Sequence, residues 1–110
     1  MKLRLPRTFK ILERTYRVYL VDSLESEGEA MCGLSDCDEG WIKISSRMPP
    51  DAQLHTFFHE VLHIVFATAN RPDLDNDEGL VDLCAGAMHQ VMATSRGNAP
   101  REEPTKDPTT

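Results

Sequence analysis

Between Gln53 and Ala69 the chain carries one formal charge, Glu60, among Leu54, Phe57, Phe58, Val61, Leu62, Ile64, Val65 and Phe66. Apolar residues at nearly every helical position predict a buried helix, not an amphipathic one that faces solvent. Two histidines interrupt the run, His59 and His63, with Glu60 beside the first. At about 100° per residue they fall on one face, one turn apart. That spacing lets two imidazoles hold a single Zn²⁺, while Glu60 can reach a water in the metal's open position. The ion brings the pKa of such a water down to about 7, and a neighbouring carboxylate can take its proton and pass it to a leaving amine. Two histidines and a carboxylate in a buried helix need partners, and a metal satisfies them.

The rest of the chain limits what can surround this helix. At 110 residues it is expected to form one domain, over residues 1–96. From Gly97 to Thr110 it holds three prolines, charges and threonines but no large apolar residue, and reads as a disordered tail. The start, Met1-Lys2-Leu3-Arg4-Leu5-Pro6-Arg7, is basic without an apolar run behind it, so neither a signal peptide nor a membrane span is expected. Three cysteines, an odd number, suit free thiols in a cytoplasmic protein. The net charge of -6 argues against nonspecific nucleic-acid binding. The six basic groups of residues 1–20 are read as the solvated face of an edge strand.

Phe9 and Ile11, then Tyr16, Val18 and Leu20, alternate with their neighbours and predict two strands joined near Glu13-Arg14. Ser23 to Glu29 reads as an acidic loop, Ala30 to Leu34 as a third strand and Trp41 to Ser45 as a fourth. Met48-Pro49-Pro50 ends the strands, and Asp51 stands where a helix cap or first-turn anion belongs. The first helix is expected to reach about Asn70, with a connection over Arg71 to Asn76. A second helix follows from about Asp77 to Thr94. Strands first and helices after give an α+β fold: a small, mostly antiparallel sheet of three to four strands followed by two packed helices.

A catalytic zinc takes three protein ligands, so a third has to come from outside the first helix. Glu78-Gly79-Leu80-Val81-Asp82 opens the second helix with two acids four residues apart on one face. Here the chain resembles the gluzincin branch of the zincin metallopeptidases. The likeness runs from Gln53 to about Met92 and suits small single-domain proteins of phage and prophage type, distantly ImmA/IrrE-like. It implies that Glu78 binds the metal with His59 and His63, that Asp82 accepts a hydrogen bond from a ligating imidazole, and that Glu60 is the general base and acid of peptide hydrolysis. Asp82 and Asp77 are alternative third ligands. Only fourteen residues separate His63 from Glu78, and in a strictly antiparallel hairpin Asp82 would lie nearer the histidines. Asp75 and Glu78 also have capping-box spacing, a structural task at a helix start.

Among the remaining candidates, His55 lies one turn before His59 and either lines a cleft or is a first-turn surface residue. His89 reads as structural, and Tyr16 and Tyr19 are available to stabilise an oxyanion. In zincins a sheet edge beside the active-site helix pairs with extended substrate, and Trp41 to Ser45, just before the helix, is the expected edge. The expected function is that of a Zn²⁺-dependent metallopeptidase acting on a peptide or protein substrate, with no nucleic-acid or membrane partner. The alternative is a zinc-bearing interaction module with little or no turnover.

Overall fold

Period-two alternation builds the first hairpin. In the computed structural model, which describes residues 3–102, β1 (Thr8–Ile11) pairs antiparallel with β2 (Arg14–Val21), setting Phe9 opposite Tyr16. Leu12 and Glu13 close it at φ 49° and 72°, the two-residue turn whose twist matches that of the strands. The expected acidic loop instead contains a two-stranded ribbon, β3 (Glu25–Ser26) and β4 (Glu29–Ala30), turning at Glu27 and Gly28 with φ 52° and 80°. Ala30 is thereby committed to Glu25, and the Met31 N–H donates to the Leu24 carbonyl at 2.9 Å. The next strand consequently begins later than expected, as β5 (Gly33–Asp36).

β6 (Trp41–Ser45) lies where the alternation predicts it, but not at an edge. The sheet order is β1-β2-β6-β5, with β6 parallel to β2 and antiparallel to β5. Both sides of β6 are therefore hydrogen-bonded, and Ile42 and Ile44 are fully buried. The expectation that Trp41 to Ser45 offers a free edge is corrected on this point; beside the helices that edge belongs to β5.

One face of the sheet receives α1 (Pro50–Thr68). Pro49 occupies its N-cap without a side-chain cap, and Asp51 is a first-turn anion and not the cap. Tyr16, Ile42, Ile44, Phe57 and Ile64 form the core between sheet and helix. Phe9 stacks on Tyr16 and meets Phe57 edge-on. The connection contains one helical turn, α2 (Pro72–Asp75), before α3 (Glu78–Thr94) returns along α1. A second cluster of Leu62, Val81 and Ala85 seals α1 to α3. The architecture is thus a small α+β fold with a mostly antiparallel four-stranded sheet, a second small sheet and two packed helices.

Among the described residues no helix is long and apolar enough to cross a membrane. Residues 97–102 contain no strand or helix, and the remainder of the expected tail lies outside the described residues.

Candidate metal centre

α1 brings His59, Glu60 and His63 to the end of its contact with α3, where Glu78 projects from the first turn of α3. The Asp77 carboxylate caps α3 by accepting from the Leu80 N–H at 3.1 Å. That leaves Asp75 and Glu78 free of the capping-box task their spacing suggested. The short α2 swings the chain round so that Glu78, not Asp82, meets the ligand faces of both histidines. Nε2 of His63 lies 3.2 Å from Nε2 of His59 and 2.9 Å from Oε1 of Glu78, and Nε2 of His59 lies 3.7 Å from Oε2 of Glu78. Zinc–donor bonds of about 2.0–2.1 Å at tetrahedral angles put neighbouring donors about 3.3 Å apart. The three separations bracket that value, so the donor set fits one small divalent cation. Among the described residues it is the one His, Cys, Asp and Glu cluster with such convergence, all three donors lying within 4.8 Å of one another.

Each imidazole has an acid at its far side. His63 Nδ1–H donates to Oδ1 of Asp75 at 2.6 Å, since an ionised carboxylate can only accept. In the neutral ring that bond selects the tautomer in which Nε2, on the side of Glu78 and His59, has a lone pair for a cation. Burial, the largest influence on His63, lowers its pKa. The Asp75 hydrogen bond and the charges of Glu60, Glu78 and Asp75 outweigh it, and the pKa stands above its ordinary value. His59 is held less closely, its Nδ1 lying 3.5 Å from Oδ1 of Asp82. The same Oδ1 accepts from His55 Nε2–H at 2.8 Å. That bond is the main reason the Asp82 carboxyl lies below the usual carboxylate range.

The chain finds no match when compared by sequence with known families and with curated proteins, or by structure with solved proteins.

A cleft of about 480 Å³ opens over these groups, walled on one side by α1 and α3 and on the other by Met31 to Ser35. Glu60 lines it although the residue is only 8 % exposed. β5 approaches closely here because residue 33 is glycine. A Cβ at that position would stand 2.5 Å from the Thr56 methyl and 3.3 Å from Glu60 Cγ. The Ser45 N–H donates to the Cys32 carbonyl, so alternation of antiparallel pairs turns the Leu34 backbone toward β6 and those of Gly33 and Ser35 outward. The outward pair forms a free strand edge along the cleft.

His55, Cys32 and Asp82 line the cleft as well, whereas Tyr16, Tyr19, His89, Asp77, Cys37 and Cys84 do not. Tyr16 is 2 % exposed within the core. Tyr19 lines a separate depression beside Arg7 and Arg17, so neither tyrosine faces the centre. His89 stacks on Phe58, away from the cleft. Asp77 is occupied as the cap, and Cys32, Cys37 and Cys84 are free thiols. Sequence reasoning missed Asp75 as the partner of His63 and Gly33 as the point of close approach. In the sequence the acid three residues before Glu78 is read only for its capping-box spacing. Nothing in the sequence marked Gly33.

Proposed function

We propose that the protein is a zinc-dependent metallopeptidase that cleaves peptide bonds by direct hydrolysis. The observation that carries this reading is the convergence of His59 Nε2, His63 Nε2 and the Glu78 carboxylate within 4.8 Å, beside Glu60 in one cleft. Two imidazoles and one carboxylate suit Zn²⁺ and leave a coordination position open. When bound, the ion supplies Lewis acidity that polarises a carbonyl and makes water more acidic.

The chain's own groups do the rest. Glu60 takes a proton from the attacking water as its oxygen bonds to the peptide carbon, then delivers it to the amide nitrogen as the C–N bond breaks. The products are a carboxylate and an amine, and no covalent bond to the enzyme forms. Asp75 keeps His63 in the tautomer that leaves Nε2 free, and Asp82 stands behind His59. An extended peptide or protein segment would pair with the outward N–H and C=O groups of Gly33 and Ser35. Glu60, Glu78 and Asp82 give the cleft an acidic lining that repels phosphates, so no nucleic-acid substrate is proposed. Free thiols at Cys32, Cys37 and Cys84 suit a reducing, cytoplasmic setting.

A second reading, a zinc-bearing interaction module, draws on the exposed apolar residues Leu83, Val91 and Met92 of α3. Metal analysis together with peptide cleavage separates the two. One zinc per chain, lost in His59→Ala and Glu78→Ala, accompanied by hydrolysis, supports the peptidase. Zinc without cleavage of any peptide in a diverse library leaves the interaction module, and no zinc uptake sinks both.

A further inference from the structure

We infer that His55 is a positioning residue of the metal centre, holding Asp82 against His59; the inference rests on the metal-binding reading above. His55 and His59 sit one turn apart on α1, and Asp82 and Gly86 one turn apart on α3, so the four positions face one another across the helix pair. A single oxygen, Oδ1 of Asp82, lies 2.8 Å from His55 Nε2 and 3.5 Å from His59 Nδ1. His63 is fixed by a dedicated acid at 2.6 Å, whereas His59 depends on an acid it shares. Asp82 springs from an exposed helix face, and its one short bond within the centre is to His55. Without His55 the carboxylate is free to rotate into solvent and leave the His59 Nδ1 unsupported.

Gly86 supplies an independent observation. A Cβ there would stand 3.3 Å from Cε1 of His55, tighter than ordinary van der Waals contact. Glycine is a poor helix former, yet it occupies an interior position of α3 where the His55 ring needs the space. The pair is also half exposed, and exposed ion pairs contribute little to folding. The arrangement consequently acts on the site more than on stability.

The test is a double-mutant cycle read by zinc affinity, measured by competition with a chromophoric chelator in the full chain. Absorption of the Co²⁺-substituted proteins reports the ligand field, and thermal unfolding of the metal-free proteins serves as the folding control. His55→Ala and Asp82→Ala are each expected to weaken zinc binding about tenfold and alter the Co²⁺ spectrum, with little change in metal-free unfolding. The double variant should be no weaker than Asp82→Ala alone. His55→Gln retains an N–H donor and should bind zinc within about threefold of wild type. Unchanged affinity in His55→Ala, or losses that multiply in the double variant, overturns the inference while leaving the zinc reading intact. A wild-type chain that takes up no zinc overturns both.

Discussion

Asp75 accepts a 2.6 Å hydrogen bond from His63 Nδ1, so the second imidazole of the candidate metal centre is oriented by a residue of the inter-helix connection and not by α3. The bond determines which ring nitrogen carries the proton, and hence whether Nε2 has a lone pair to offer. Asp75→Ala is expected to weaken zinc binding by about 10–100-fold, the usual effect of removing a ligand's orienting acid. Competition against a chelator of known affinity measures it. An affinity equal to wild type would show that the ring is held by packing alone.

The same contact makes the metal-free protein sensitive to pH. The His63 pKa is raised in the folded chain, so the protonated ring is better accommodated there than in the unfolded chain. Its contribution to stability is fully present below about pH 6.5, the unfolded value, and is lost as pH rises through the folded value. Metal-free wild type should therefore lose more thermal stability than metal-free His63→Gln between about pH 6 and pH 8. Parallel melting curves across that range would argue against a raised value.

In the proposed mechanism Glu60 separates metal binding from chemistry. Glu60→Gln keeps the volume of the side chain but not its basicity, and Glu60 is absent from the donor cluster. The variant should retain one zinc and lose about 10²–10⁴-fold in peptide hydrolysis, the range of a general base. Retained activity would remove Glu60 from the proposed mechanism.

The elements whose signal is local were legible in the sequence. Apolar density around His59 and His63 announced α1, and alternation in Phe9 to Val21 and Trp41 to Ser45 announced the β1–β2 hairpin and β6. Strand order was not legible, because β6 inserts between β2 and β5 through a parallel pairing of residues far apart in sequence. Periodicity tells which face a strand buries and is silent on its neighbours. β5 begins at Gly33 and not at Ala30 because Glu27 and Gly28 take positive φ and fold Ala30 back onto Glu25. At the site, spacing brought His59, Glu60 and His63 onto one face. In the sequence Asp75 is read only for its capping-box spacing with Glu78, whereas the structure makes Asp77 the cap and pairs Asp75 with His63.

Gly33 sets how closely β5 approaches α1. A methyl group there would stand 2.5 Å from Cγ2 of Thr56, so the Thr56 side chain, the strand or the helix has to shift. Gly33→Ala should cost about 1–3 kcal/mol, as overpacking does, and displace Glu60 from its place in the cleft. Adding Thr56→Ser removes the opposing methyl and should restore most of the loss in stability. A Gly33→Ala melting temperature equal to wild type, or a double variant no better than Gly33→Ala, would contradict the tight approach.

The free edge of β5 offers a test of how the proposed peptide substrate would be held. The backbone at Leu34 turns toward β6, and the Ser35 N–H turns outward along the cleft. Proline is tolerated on an edge strand when the N–H it removes faces away from the ladder. Ser35→Pro should accordingly leave the β5–β6 pairing and zinc binding intact while deleting one donor available to an extended substrate. Losing one main-chain hydrogen bond is worth about 0.5–1.5 kcal/mol, or roughly a 2–12-fold rise in KM for a peptide long enough to span the strand. A short substrate that reaches only Glu60 and the metal ligands should be cleaved as before. Equal effects on long and short peptides would place the substrate somewhere other than this edge.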